Sequence, residues 1–175
     1  MFYQPRDDSF LLKEQVIKLS KGKRVLDMGT GSGIQAETAL NNCAKSVLAA
    51  DINNECSSIL KKKGIKFIQS DLFSDVKGRF DLIIFNPPYL PLDKREDEES
   101  SLTTSGGKRG DELILRFLKQ SSGHLAREGI ILLLLSSLTP QNSIKRLLKK
   151  LNMNCKVISE KNIFMEKLEV WKISN

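Results

Sequence analysis

RVLDMGTGSG, residues 24–33, is the stretch on which the fold turns. A short β-rich apolar run, Arg24 to Met28, gives way to glycines at 29, 31 and 33 and then to a helix-like segment over 33–43. Six further β-rich runs follow: SVLAAD (46–51), IKFIQ (65–69), FDLIIF (80–85), GIILLLL (129–135), CKVIS (155–159) and KLEVWKI (167–173). Between and before them, segments 8–20, 33–43, 54–63, 110–123 and 140–151 repeat apolar residues at spacings of three and four and predict helices. Strands that alternate with helices need crossover connections, so the pattern predicts a doubly wound α/β fold with a mostly parallel seven-stranded sheet. About seven residues, Glu160 to Glu166, separate the last two strands. That is too few for a crossover helix, so the seventh strand should run antiparallel to the sixth, unlike the parallel ending of a dinucleotide-binding fold.

The 175 residues, 40% apolar, suffice for one core, and the expectation is a single domain over 1–175. A surplus of 28 Lys and Arg over 21 Asp and Glu gives a net charge of +7, which favours an acidic partner such as nucleic acid or a ribosome-associated complex without identifying one. From Pro140 onward, eight Lys or Arg face three Glu, either as a solvated face or as a partner surface. Cysteines at 43, 56 and 155 and one histidine at 124 support neither a disulfide framework nor a zinc site and fit a reducing compartment. The longest apolar run, Ile130 to Leu135, falls far short of the roughly 20 residues of a membrane helix, and MFYQPRDDSF carries no secretion pattern. A soluble, cytoplasmic protein is expected. Pro140 should start the fifth helix with Thr139 as its cap, and the aperiodic segment 91–110 is long enough to be functional or mobile.

The glycine turn at the end of the first strand lets a ligand approach backbone closely. Its spacing is not G-x-G-x-x-G and no lysine follows, so phosphate binding is disfavoured. Asp51 ends the second strand, where a carboxylate can accept from both hydroxyls of a ribose; as a helix cap it competes with the better-placed Asn53. Asp71, beyond the third strand, can accept from an adenine amino group while Leu72 packs on the ring, although a plain turn is the competing reading. Glycine turn, acidic residue and adenine-edge aspartate, in that order, resemble the cofactor pocket of class I S-adenosyl-L-methionine-dependent methyltransferases. The resemblance implies a Rossmann-like sheet with a reversed last strand. It also implies close approach of the cofactor at Gly29, Gly31 and Gly33, with Asp27 near its methionine end.

Asn86-Pro87-Pro88-Tyr89 directly follows FDLIIF. A planar nitrogen methylates poorly because its lone pair is delocalised, whereas a sulfonium methyl is already activated. The enzyme must therefore position and polarise. The Asn86 side-chain oxygen and the Pro87 carbonyl can accept both N–H bonds of an NH2 group, and Tyr89 can stack on its flat face. N-P-P-Y resembles both the amino-methyltransferases of nucleic-acid bases and the HemK-like protein glutamine N5-methyltransferases. Phe2-Tyr3-Gln4-Pro5-Arg6-Asp7-Asp8-Ser9-Phe10-Leu11-Leu12 is similar to the N-terminal motif of the short archaeal and eukaryotic HemK-like branch, although Asp8-Ser9 alone also reads as a helix cap. Gly106-Gly107-Lys108-Arg109-Gly110 resembles that branch's G-G-x-D-G segment, with Arg109 where Asp is usual and Asp111 two positions on. Glu166 to Val170 resembles its final strand.

This resemblance implies methyl transfer to a glutamine amide in the Gly-Gly-Gln loop of a translation release factor, with a small zinc-binding activator protein as partner. Adenine N6 methylation of RNA or DNA is the alternative. It is not favoured, because sequence-specific DNA enzymes usually need an added recognition domain to flip a base. A non-catalytic adenosine-ligand module is the third reading, and intact Asn86-Pro87-Pro88-Tyr89 argues against it. The cysteines read as small packing or surface residues and His124 as a helix-end residue.

Overall fold

A computed structural model describes residues 5–89 and 106–175. In chain order the elements are α1 (Asp7–Leu19), β1 (Arg24–Met28), α2 (Ile34–Asn41), β2 (Ser46–Asp51), α3 (Ser57–Lys62), β3 (Lys66–Gln69), β4 (Phe80–Phe85), α4 (Glu112–Ser121), β5 (Leu125–Ser136), α5 (Gln141–Lys150), β6 (Asn154–Ile163) and β7 (Glu166–Ser174). The seven strands form one sheet in the order β3-β2-β1-β4-β5-β7-β6. The first five are parallel; β7 runs antiparallel to both β5 and β6, as the short connection before it requires.

Alternate residues of each strand feed two separate cores. Leu26, Met28, Ile83, Phe85, Ile131 and Leu133 pack against Ile114, Phe117 and Leu118 of α4 and Ile144 and Leu148 of α5. Val25, Ala49, Leu82, Ile84, Leu132 and Leu134 face Leu12 and Val16 of α1, Ala36 and Ala39 of α2 and Leu60 of α3. Burial on both faces is why the inner strands read as continuous apolar runs in the sequence. Edge strand β6 is largely exposed and charged, with Lys156, Glu160 and Lys161, which discourages pairing with another chain. Among the described residues no helix is long and apolar enough to cross a membrane.

Three local readings need correction. The helix expected over 54–63 begins as a 3₁₀ turn, Asn54–Cys56, whose cap is the Asn53 side chain accepting from the Glu55 N–H. Strand β5 starts at Leu125 rather than 129, because Phe80 pairs with Leu125 before the register jumps to Leu82 and Ile130, leaving Arg127 and Glu128 bulged out to solvent. Thr139 does not cap α5: its hydroxyl donates to the Tyr89 carbonyl at 3.2 Å, which ties the end of the N-P-P-Y segment to the end of β5.

The strand order reverses between β1 and β4, and ligands of open α/β sheets bind at the carboxyl ends beside such a reversal. Register makes this concrete. Met28 lies opposite Phe85 on β4 and Ala50 on β2, so the glycine turn, Asp51 and Asn86 leave the sheet side by side.

Candidate active site

The turn after β1 is held by a short network. Thr30 donates its backbone N–H to the Ala50 carbonyl, and Gly33 donates its own to the Thr30 carbonyl at 2.8 Å. Asp27 is buried, and its Oδ2 accepts from the Thr30 hydroxyl at 2.7 Å and from the Ala36 N–H at 3.0 Å, joining turn to helix. Burial pushes its carboxyl up to about 7, against the opposing pull of those two hydrogen bonds. Gly29 and Gly33 both have positive φ, 61° and 79°. A Cβ on Gly33 would sit 2.5 Å from Leu60 Cδ2, so the left-handed backbone there favours glycine and the Leu60 side chain would have to shift to admit any other residue.

Asp51 braces the same turn from β2. Its Oδ2 accepts from the Gly31 N–H at 2.9 Å and its Oδ1 from the Asn53 N–H at 2.9 Å. Each oxygen keeps further lone-pair capacity for a ligand hydroxyl. Asp71 follows β3 and pairs with Arg116 of α4 while remaining half-exposed. Next to it Leu72 takes φ 51°, a conformation uncommon for a bulky residue, with its side chain buried. The Ser70 hydroxyl pins that bend by donating to the Leu72 carbonyl at 2.7 Å.

On the β4 side, Asn86 is half-buried and its Nδ2 donates to Asp8 Oδ2 at 3.0 Å. Its Oδ1 is shut off from solvent and has no partner among the described residues. An acceptor left this way costs about 1–3 kcal/mol, so it marks a place where a donor is wanted. Tyr89 is partly buried and packs against both cores. Gly106, just before α4, lies so close to the N-P-P-Y backbone that a Cβ on it would fall 2.7 Å from the Pro88 carbonyl oxygen.

A cleft of about 1200 Å³ joins these pieces. Asp27, Gly29, Gly31, Asp51, Asp71, Leu72, Asn86, Pro87 and Tyr89 all line it. Gly33 does not; it is buried beneath the turn against Leu60. The cleft also takes in Asp8, expected only as a helix cap within the N-terminal motif, and Gln35, for which no role was expected. Gln35 donates from Nε2 to the Ser9 carbonyl at 2.8 Å, clamping the start of α1 onto α2, while its Oε1 is a second enclosed acceptor with no partner among the described residues. The motif stretch 2–12 contained Asp8, yet nothing in its spacing pointed to a residue 78 positions away. Residues 2–4 of that motif and most of segment 91–110 lie outside the described residues.

The departure at Arg109 has a clear local outcome. Its backbone N–H donates to the Glu112 carboxylate, its guanidinium pairs with buried Asp111 at 3.1 Å, and Ser143 of α5 also donates to Asp111. The helix starts at Glu112 with no side-chain cap from Asp111, which is turned instead toward α5. His124, after α4, stacks on Phe73 with ring centroids 4.7 Å apart.

Residues 7–165 match the family model described as "Methyltransferase small domain". The chain belongs to this methyltransferase family. A Methanocaldococcus jannaschii protein whose name proposes it as a protein N5-glutamine methyltransferase is 34% identical over 182 residues, an alignment covering 98% of this chain and 92% of that protein. A release factor glutamine methyltransferase of Koribacter versatilis is 34% identical over 74% of this chain and 53% of its own length, so the chain spans about half of that bacterial relative. Among solved structures, the E. cuniculi Mtq2–Trm112 complex, titled as responsible for methylation of the eRF1 translation termination factor, superposes with a TM-score of 0.81 at 23% identity, covering 99% of this chain and 98% of the other. That likeness is one of fold. The family makes this chain a methyltransferase, and its seven-stranded sheet is the one these enzymes share.

Proposed function

We propose that this methyltransferase transfers a methyl group from S-adenosylmethionine to the side-chain amide of a glutamine in the Gly-Gly-Gln loop of a translation release factor. The observation that carries the reading is Asn86: an amide at the carboxyl end of β4, tethered through its nitrogen, with an unpartnered acceptor oxygen, in the same cleft as the glycine turn and Asp51. The names of the archaeal and bacterial relatives support the substrate class.

The residues present fit such a cofactor. Asp51 would accept from the ribose hydroxyls, Gly29 and Gly31 would give it close access to backbone, and Asp71 with Leu72 would hold the adenine. Asp27, with one oxygen already committed to Thr30 and Ala36, would act mainly by shaping the turn. Gly33 serves that turn from beneath. S-adenosylmethionine supplies a methyl already activated on a sulfonium. Asn86 Oδ1 and the Pro87 carbonyl accept the two N–H bonds of the glutamine NH2, which draws its lone pair out of conjugation and aims it along the line of displacement, while Tyr89 supports the amide plane. In that arrangement the glutamine nitrogen would attack the methyl carbon and give up one proton to water, with the carbon–sulfur electron pair leaving on sulfur. No strong base is required beforehand.

The proposal includes a small zinc-binding activator subunit, in keeping with the two-protein complex whose fold is so similar. The net charge of +7 keeps adenine in RNA as the alternative target. The test is incubation with methyl-labelled cofactor and either a release factor or RNA, with and without the activator. Label in the glutamine of the release factor is expected; label in RNA alone would reverse the assignment.

A further inference from the structure

We infer that Asp8 is the positioning residue that fixes which way round the Asn86 amide presents itself to substrate; this rests on the reading of Asn86 above. The two ends of a carboxamide are nearly the same size but opposite in character: one accepts, the other only donates. A substrate NH2 is held only if the oxygen faces it. Nothing in Asn86 itself makes that choice, and a flip would set two donors against each other.

Asp8 makes it. The residue is buried in the first turn of α1, and an ionised carboxylate can only accept. Its Oδ2 takes the Asn86 Nδ2 proton at 3.0 Å, so the amide nitrogen is held on the α1 side and Oδ1 becomes the end left for a donor. Its other oxygen, Oδ1, accepts the Ser9 N–H at 2.6 Å and faces the Ser9 hydroxyl at 3.3 Å, which prevents the carboxylate from turning away. Gln35 completes the brace by holding the Ser9 carbonyl at 2.8 Å. The start of α1 is therefore clamped to the helix of the glycine turn on one side and to Asn86 on the other. A carboxylate accepting from the amide nitrogen also shifts electron density onto the amide oxygen and strengthens it as an acceptor.

The bond pattern makes the idea testable with nearly isosteric changes. In Asp8→Asn the new amide oxygen stays on the Ser9 N–H, so its NH2 faces Asn86. Asn86 must then flip to offer its oxygen and turns its own NH2 toward the substrate. In the exchanged pair, Asp8→Asn with Asn86→Asp, residue 8 donates and residue 86 again keeps an acceptor oxygen for the substrate. Methyl transfer to a release factor is measured as kcat and KM for wild type, Asp8→Asn, Asn86→Ala and the exchanged pair. Binding of S-adenosylmethionine and thermal melting are followed alongside.

The expected result is that Asp8→Asn lowers kcat about tenfold or more while cofactor affinity and melting stay near wild type, and that the exchanged pair recovers activity above the Asp8→Asn level. Wild-type kcat in Asp8→Asn, or no recovery in the exchanged pair, would overturn the inference. Retained turnover in Asn86→Ala would instead overturn the reading of Asn86 on which it rests.

Discussion

Two aspartates on adjacent strands, Asp27 of β1 and Asp81 of β4, are pushed in opposite directions by the same sheet. Asp81 lies near the amino ends of the strands, where Arg24 meets it with a two-pronged guanidinium contact at 2.8 and 3.0 Å and a backbone N–H at 2.9 Å. Those bonds hold its carboxyl down at about 2. Asp27 lies near the carboxyl ends, buried beneath the glycine turn with a neutral hydroxyl and one N–H for company, and burial raises it to about 7. The contrast extends beyond one pair. Among the described residues two enclosed acceptors without partners, Asn86 Oδ1 and Gln35 Oε1, and the positive-φ residues Gly29, Gly31, Gly33 and Leu72 gather at the carboxyl-end cleft, while the amino-end side has its own buried unpartnered hydroxyl, Ser20, and positive-φ turn residues Gly22, Cys43 and Gly78. At the amino ends the charge of Asp81 is met locally by Arg24. At the carboxyl ends the two unmet acceptors belong to residues that line one cleft, as expected where a ligand completes the structure.

The sharpest way to break this contrast is to remove what the carboxyl end holds in reserve. Asn86→Ala should lower kcat about 10²–10³-fold with little change in cofactor affinity, since it would delete the interaction proposed with the nucleophile; steady-state kinetics beside calorimetric titration of the cofactor would show the split. Asp51→Ala should act the other way, weakening cofactor affinity about 10- to 100-fold by removing the proposed ribose acceptor and loosening Gly31 and Asn53 together. Gly33→Ala, whose new Cβ meets Leu60, should cost about 1–3 kcal/mol of unfolding free energy by urea titration.

A pH series then tests the two aspartates directly. Below pH 4 Asp27 is protonated both folded and unfolded. As pH rises from about 4 to 7 the unfolded chain ionises and the folded one resists, so this residue's contribution to stability declines, by at most about 1.4 kcal/mol per pH unit. Asp27→Asn should remove that decline. Asp81→Asn should instead remove a smaller gain that develops as pH rises from about 2 to 4, since its exposed partner is screened by solvent.

The fold was legible because burial on both faces writes itself into sequence as apolar runs, and the short gap between the last two runs, which the structure narrows to Phe164 and Met165 between β6 and β7, leaves only an antiparallel return. The gathering of the candidate residues at strand ends was legible for the same reason: register carries Gly29, Asp51 and Asn86 to one place once the strand order is known. What stayed hidden depends on side chains meeting across long separations. Asp8 reaches Asn86 over 78 positions, Arg116 reaches Asp71 over 45, and Thr139 reaches Tyr89 over 50, and no local periodicity encodes any of these. Gly33 looked like its neighbours in the turn. Only the position of Leu60 reveals that it faces inward.

The most direct measurement is a crystal structure of the enzyme with S-adenosylhomocysteine and a peptide carrying Gly-Gly-Gln. The expected result is a glutamine amide nitrogen within hydrogen-bond distance of both Asn86 Oδ1 and the Pro87 carbonyl, with Asn86 Nδ2 still on Asp8 and the nitrogen facing the cofactor sulfur. A peptide amide bound elsewhere, with Asn86 Oδ1 turned to a protein donor, would contradict it.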